Sequence, residues 1–453
     1  MFLFPWKSHQ EGFLKSQRKI VNQVVIAFAA VILAGALILM LPIMTHGHKV
    51  NFIDALFTST SATCVTGLIV QDTATFFTAT GKAIILILIQ MGGLGIMTVT
   101  SIFGIILGRK INLGHRFYLK TSFGAEKPFS AAKFFLIIAI TTLVIELIGS
   151  ISIACTLFFK FGQTLKTSLT SGVFHSVSAF NNAGFSLYSK NLEGFVSDPT
   201  FSITIMLLIV FGGIGFSVIS EFIEYKRVRK FSLHTKIVLI VTGILIIVGA
   251  LAFFLIEFNN PKSIGNLSGG TKVLASFFQS ITPRTAGFNT VNMSTLNEAT
   301  LFILVILMFI GASPGGTGGG IKTTTFASIT MAGFYSFKGQ KNITIFKRKI
   351  PQQIIFRSLT LTLTALLLVL SASTAIMLIE NESFIKVVFE VTSAFGTVGL
   401  STGITPGLTV ASKYILIFCM FIGRVGISSL SLIIASRVLP EKIERPEETI
   451  SIG

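Results

Sequence analysis

The chain has 453 residues, 51% of them hydrophobic and 12% charged, with a mean hydropathy of +0.81 and a formal net charge of +18. Soluble domains carry about 25% charged residues, so a water-soluble fold with a charged shell is excluded and a multi-pass membrane protein is indicated. Three cysteines (Cys64, Cys155, Cys419) scattered through apolar segments point to neither a disulfide framework nor a metal site.

The first apolar run, 21–41, is too long for a signal-peptide core and lacks a small-residue cleavage pattern, so a retained span is expected. With runs near 82–107, 134–158, 200–222, 236–256, 300–334, 354–379 and 413–438 it makes eight candidate spans. Between the members of each pair lies one copy of a repeated stretch: Phe57–Leu68, Phe174–Phe185, Phe277–Phe288 and Phe389–Leu400. In every copy a phenylalanine stands ten residues before a glycine, and these glycines (Gly67, Gly184, Gly287, Gly399) are 117, 103 and 112 residues apart. Recurrence at that period marks a structural module. A segment such as 51–62 is too short to cross a bilayer and reads as a re-entrant half-helix. The expected fold is all-α, with four span–half-helix–hairpin–span modules over 1–108, 109–230, 231–349 and 350–453. An even number of spans places both termini on one side.

Of the 36 Lys and Arg residues, 24 fall on the face of the termini, including six in the loop 109–133 and six in 338–357, against nine opposite. The excess marks the cytoplasmic face of a plasma membrane, so both termini are expected inside and the hairpins enter from outside. Topology and attraction to anionic lipid account for the positive charge, and nucleic-acid binding is not expected.

Non-helical backbone at membrane depth is tolerated only where protein buries it or where it lines a watery cavity. Four such stretches can meet on one axis, and a ring of their carbonyl oxygens can replace the hydration shell of a monovalent cation. The candidate ion-binding residues are Thr63, Cys64, Val65, Thr66 and Gly67; Asn181, Asn182, Ala183 and Gly184; Arg284, Thr285, Ala286 and Gly287; and Gly396, Thr397, Val398 and Gly399. Half-helices ending there would aim their partly negative C-termini at the cation. Close packing of glycines is the competing explanation, and four copies at one spacing, each between two spans, favour the filter.

The apolar run 300–334 would extend roughly 52 Å as a straight helix, more than one crossing. It is expected to break into two half-helices around a flexible gating loop beneath the filter. That loop comprises Gly311, Ala312, Ser313, Pro314, Gly315, Gly316, Thr317, Gly318, Gly319 and Gly320, followed by Lys322. A phosphate-binding loop is excluded, because Ile321 separates Gly320 from Lys322 and no strand precedes it. Arg424, in the last span, is expected at similar depth as an electrostatic barrier that also holds the insert through its carbonyls. Structural satisfaction of neighbouring helix ends is the alternative. The clusters 92–95, 212–215 and 423–426 read as close-packing sites. Glu146 reads equally as an ion-coupling group or a helix-interface carboxyl. Asp54 and Asp72 are placed at the outer mouth, where they could concentrate cations, and His46 with His48 are too few for a closed metal site.

These motifs, Thr63–Leu68, Asn181–Phe185, Arg284–Phe288 and Gly396–Leu400 together with the insert and Arg424, resemble the membrane subunit of Ktr-type potassium uptake systems in the Trk/Ktr/HKT superfamily. The resemblance runs from the first span to the last. The first module begins almost at once, without the extra pair of spans of Trk-type relatives, which points to the Ktr branch. The resemblance implies pseudo-fourfold symmetry around one central pore, potassium as substrate, sodium as an activator, and a homodimer. It also implies a separate cytoplasmic ring of nucleotide-binding (ATP/ADP) subunits, since no nucleotide-binding unit is legible in this chain. Gly67, where some sodium-favouring relatives carry serine, implies potassium. The alternative is a coupled secondary transporter of potassium with sodium or protons, working by alternating access. No catalytic constellation or cofactor motif supports an enzyme.

Overall fold

The computed structural model describes residues 6–47, 49–95, 98–99, 131–340 and 342–427. Most of the loop 109–133, the C-terminal tail, His48 and parts of the expected spans 82–107 and 413–438 lie outside the described residues. The first quarter contains α1 (Trp6–Leu39), α2 (Phe52–Thr63) and α3 (Ala79–Leu94). The second contains α4 (Ala131–Phe159), α5 (Leu165–Phe180), α6 (Pro199–Gly213) and α7 (Phe216–Val228). The third has α8 (Leu233–Glu257), α9 (Gly269–Ile281), α10 (Glu298–Phe309) and α11 (Thr323–Phe337), followed by the small antiparallel pair β1 (Thr344–Ile345) and β2 (Arg348–Lys349). The fourth has α12 (Gln352–Ile379), α13 (Phe384–Gly396) and α14 (Val410–Val425).

Helices α1, α4, α8 and α12 are long and apolar enough to cross a bilayer. Their outward side chains are apolar: Leu143, Leu147, Ile247, Leu251, Leu363 and Leu367 are each 57–69% exposed. Hydroxyls such as Ser59, Ser61, Ser176, Ser178, Ser280 and Ser393 are wholly buried. This inverts a soluble protein, as expected where hydrocarbon is the solvent and polar groups must be satisfied inside. The buried serines clasp helices together. Ser59 Oγ donates to the Ile32 carbonyl (2.7 Å), Ser176 Oγ to that of Glu146 (2.6 Å) and Ser280 Oγ to that of Ile246 (2.7 Å).

In the first, second and fourth quarters the second span departs from the expectation of a continuous helix, which located a break only in 300–334. Helix α3 stops at Gly95, α6 and α7 meet at 98° across Ile214–Gly215, and α14 stops at Gly426. Gly95, Gly215 and Gly426 have φ of 82°, 97° and 86°, a left-handed region glycine enters without steric cost. From sequence, a glycine inside a helical pattern signals only ~1 kcal/mol of lost propensity, so these clusters read there as packing sites. Packing is present beside them: a Cβ at Gly92, Gly212 or Gly423 would overlap the carbonyl of Thr63, Phe180 or Phe395.

The apolar clusters interlock in cyclic order. Phe185 of the second stretch packs in the cluster built mainly on the first quarter, with Phe77 and Ile89. Phe288 of the third packs with Phe201 and Ile205 of the second, and Leu400 of the fourth with Leu304 and Met308 of the third. Leu68 of the first packs with Leu416 and Met420 of the fourth. The bulky residue after each glycine is therefore a plug into the preceding quarter, and the last quarter closes on the first.

Candidate functional site

The short helices α2, α5, α9 and α13 each run directly into one of the repeated stretches. In each stretch the residue two before the glycine is left-handed: Val65 (φ 58°), Asn182 (57°), Thr285 (77°) and Thr397 (51°). The glycines are left-handed too, with φ of 90°, 70°, 74° and 93° for Gly67, Gly184, Gly287 and Gly399. Alternation of hand turns successive carbonyls to one side, where a strand would alternate them. A non-glycine residue pays roughly 1–2 kcal/mol for this conformation, so it persists only where its surroundings enforce it.

The enforcement comes from the last turns of the short helices. Thr66 N donates to Ser61 O (2.7 Å), Ala183 N to Ser178 O (2.7 Å), Ala286 N to Thr282 O (2.9 Å) and Val398 N to Ser393 O (2.8 Å). Ser61 Oγ accepts from Gly67 N (3.0 Å) and donates to Leu68 O (2.7 Å). Ser178 Oγ donates to Phe185 O (2.9 Å), Thr282 Oγ1 to Phe288 O (2.5 Å), and Ser393 Oγ accepts from Gly399 N (3.0 Å). These four hydroxyl residues were not among the sequence candidates. The available signal was a Ser or Thr five or six residues before each glycine.

The glycines form a closed cycle. A Cβ at Gly67 would meet the Ala183 carbonyl, one at Gly184 the Ala286 carbonyl, one at Gly287 the Val398 carbonyl and one at Gly399 the Thr66 carbonyl. The backbones of all four candidate stretches are thus brought together. Not every side chain named from sequence joins them. Asn181 Nδ2 turns outward to Gln90 Oε1 (2.7 Å) and Glu146 Oε1 (3.0 Å), and Arg284 Nη2 reaches Thr242 Oγ1 on α8 (3.2 Å). Asn182 pairs with Thr285 Oγ1 at 3.3 Å in either amide orientation. Cys64, Val65, Ala183, Ala286 and Val398 are fully buried, as are Thr63 and Thr66.

The insert lies against this ring and is pinned, whereas the sequence suggested a flexible loop. Ile310 and Ile321 form a parallel bridge, and Ala312 N donates to Gly319 O (3.3 Å). Gly319 N donates to Thr397 Oγ1 (3.0 Å), and Thr317 Oγ1 to Phe180 O (3.2 Å). A Cβ at Gly318 would overlap the Thr285 side chain. Thr317 N and Ser313 N donate to Gly212 O (3.1 Å) and Gly213 O (3.0 Å), and Phe216 N donates to Gly315 O (3.0 Å). Thus Pro314–Gly316 seats in the bend between α6 and α7. Lys322 Nζ donates to Gly318 O (2.6 Å). The Arg424 guanidinium donates to the carbonyls of Thr317, Gly92 and Gly93, joining the insert to the C-terminal end of α3.

Other candidates are engaged in structural bonds. Glu146 sits at a helix interface, where Gln90 Nε2 (3.3 Å) and Asn181 Nδ2 donate to it. Asp54 forms an ion pair with Lys413 (2.9 Å) and accepts from Gln71 Nε2 (3.2 Å). Asp72 accepts from Ser189 Oγ (2.6 Å) and Thr75 Oγ1 (2.9 Å). Neither is a bare carboxylate at a mouth. In a loop of the same face, Glu193 accepts from Asn289 Nδ2 (3.1 Å), and burial raises its carboxyl above the usual carboxylate range despite that bond and nearby Lys190.

The sequence model of the TrkH family, described as cation transport protein, matches residues 4–444. The Ktr system potassium uptake protein B of Bacillus subtilis (strain 168) is 42% identical over 401 residues, 88% of this chain and 89% of that one. A protein of the same description from Vibrio alginolyticus is 39% identical over 95% of this chain and 94% of its own. The potassium/sodium uptake protein NtpJ of Enterococcus hirae is 36% identical over 96% of this chain and 97% of its own. The crystal structure of the potassium transporter TrkH from Vibrio parahaemolyticus has the same fold, with a TM-score of 0.72 over 91% of this chain and 84% of that one, at 19% identity. With its full-length match and its four span-flanked glycine stretches, the chain belongs to the TrkH family of cation transport proteins, in the Ktr branch.

Proposed function

We propose that this chain is the ion-translocating subunit of a potassium uptake system, and that potassium crosses through one central pore whose selectivity filter is the ring of four glycine stretches. The observation that carries the reading is the closed cycle in which each glycine faces the carbonyl of the next stretch. Alternating hand in every stretch directs several carbonyls to one side, the arrangement needed to replace an ion's water. The short helices end at that ring, so their partly negative C-termini favour a cation. Each quarter (1–108, 109–230, 231–349, 350–453) supplies one sector of wall, and the insert with Lys322 and Arg424 is the gate below.

The names of the relatives supply potassium, and NtpJ supplies sodium as a second ion. In this reading both termini are cytoplasmic, sodium acts as an activator, the chain works as a homodimer, and a separate nucleotide-binding ring regulates it. Purified protein in liposomes, assayed for potassium, rubidium and sodium flux, tests the proposal. A reversal potential that follows the potassium gradient alone supports the pore. One set jointly by potassium and a second ion supports the coupled transporter, which the bent pair α6–α7 also suits.

A further inference from the structure

The segment leaving each ring glycine is gripped, in three of the four repeats, by a buried polar side chain on the preceding short helix. In the fourth repeat this is Glu390, fully buried on α13 nine residues before Gly399. Its Oε1 accepts from Ser401 Oγ (2.5 Å), Thr402 N (2.9 Å) and Thr402 Oγ1 (3.3 Å), and its Oε2 accepts from Thr405 Oγ1 (2.8 Å). In the second repeat His175 stands nine residues before Gly184, with Nε2 3.1 Å from Ser186 Oγ and 3.3 Å from Leu187 N. The register is shared, since both clamps hold the residues two and three beyond the glycine. In the third repeat Gln279 Nε2 donates to Thr290 Oγ1 (3.4 Å), again three beyond. The first repeat has Thr58 at the clamp position, and its hydroxyl donates to its own helix at Asp54 O (2.8 Å).

Glu390 makes the fullest grip, with three donors on Oε1 and one on Oε2. A buried carboxyl is tolerated where neighbouring donors satisfy it, as these do on both oxygens. Its effect extends to two sectors, because the Gly399 backbone leans on the Thr66 carbonyl and on Gly67, in the stretch that lacks a clamp at that position. A shift of the 399–402 segment would therefore move the carbonyls of both neighbouring stretches.

We propose that Glu390 is a positioning residue that fixes the radius of the glycine ring at the junction of the fourth and first stretches, and thereby sets discrimination between potassium and the smaller sodium ion. This rests on the filter reading above. The test is rubidium uptake and the potassium-to-sodium permeability ratio in liposomes for Glu390→Ala, Glu390→Gln and Thr405→Val, with Gly67→Ser alongside. Glu390→Ala is expected to raise the KM for rubidium and lower the ratio about tenfold, the scale of losing one hydrogen bond to a charged group. Glu390→Gln keeps an acceptor for Thr402 N and a donor for the Thr405 hydroxyl, and is expected to restore most of the ratio. Thr405→Val removes only one of the four donors to Glu390 and is expected to shift the ratio the same way but less, by about threefold.

Folded Glu390→Ala with wild-type KM and ratio overturns the proposal. If Glu390→Ala does not fold, a wild-type ratio in Thr405→Val overturns it. Glu390→Gln as impaired as Glu390→Ala also overturns it, because charge rather than position would then matter. An altered ratio in Gly67→Ser with an unaltered Glu390→Ala removes only this inference. An unaltered Gly67→Ser removes the filter reading itself.

Discussion

Arg424, at the end of α14, donates to the carbonyl of Thr317 in the middle of the glycine-rich insert. The same guanidinium grips the Gly92 and Gly93 carbonyls that end α3, and Thr317 Oγ1 reaches Phe180 O beside the second stretch. One side chain thus ties the insert, a helix end and, through Thr317, the edge of the ring. These are the bonds expected of a group that satisfies a helix end and holds the insert through its carbonyls.

Arg424→Gln is expected to raise rubidium uptake severalfold, because a fixed positive charge at about 7 Å and an effective dielectric of ~20 costs a passing cation ~2.4 kcal/mol. Arg424→Lys should retain most of the restriction. Uptake normalised to protein level is the measurement. Well-folded Gln protein with reduced uptake would sink the barrier, leaving Arg424 as a cap for α3.

Gly67→Ser should lower the potassium-to-sodium permeability ratio about tenfold, since a side chain at left-handed φ costs roughly 1–2 kcal/mol. Its Cβ would also press on the Ala183 carbonyl. An unchanged ratio would misplace the filter.

Deleting Ser313–Gly319 removes the hydrogen bonds to Gly212, Gly213 and Thr397 and the Thr317 acceptor of Arg424, leaving those at Gly92 and Gly93. Uptake should rise and become less dependent on a regulatory partner. A folded deletion with lower or equal uptake would reduce the insert to a passive kink.

Glu146→Gln should keep uptake within about twofold, because an amide can still accept from Asn181 and bond Gln90. Glu146→Leu should destabilise by ~1 kcal/mol by removing the acceptor of the partly buried Gln90 Nε2, while Asn181 Nδ2 keeps Gln90 Oε1 and Val177 O, read as a lower melting temperature. Lost uptake in folded Glu146→Gln would return this carboxyl to an ion-coupling role.

The partly buried pair Asp54–Lys413 joins residues 359 apart and links the first quarter to the fourth. Removing one partner of a pair in such surroundings costs up to 3–5 kcal/mol by leaving the other charge uncompensated. Lys413→Met should lower the melting temperature, and adding Asp54→Asn should recover part of the loss. Equal melting temperatures for Lys413→Met and wild type would make the pair incidental.

Hydropathy and a repeat period survive without coordinates, so the sequence alone determined the membrane class, the four glycine stretches with their half-helices, and the break in the third quarter. Gly67, Gly184, Gly287 and Gly399 were legible because a tight backbone ring admits no side chain there. The family, too, was readable from the motifs. Tertiary structure decided what depends on partners distant in sequence. Arg284 and Asn181 sit in ring motifs, yet their side chains turn outward, because Thr242 on α8 and Gln90 with Glu146 supply their bonds. Asp54 became half of an ion pair only because the fourth quarter closes on the first. The left-handed breaks at Gly95, Gly215 and Gly426, and the pinning of the insert by Thr397, Gly212 and Arg424, were likewise invisible. A glycine's φ and a carbonyl's donor are set by what packs against them, and a linear pattern does not record that.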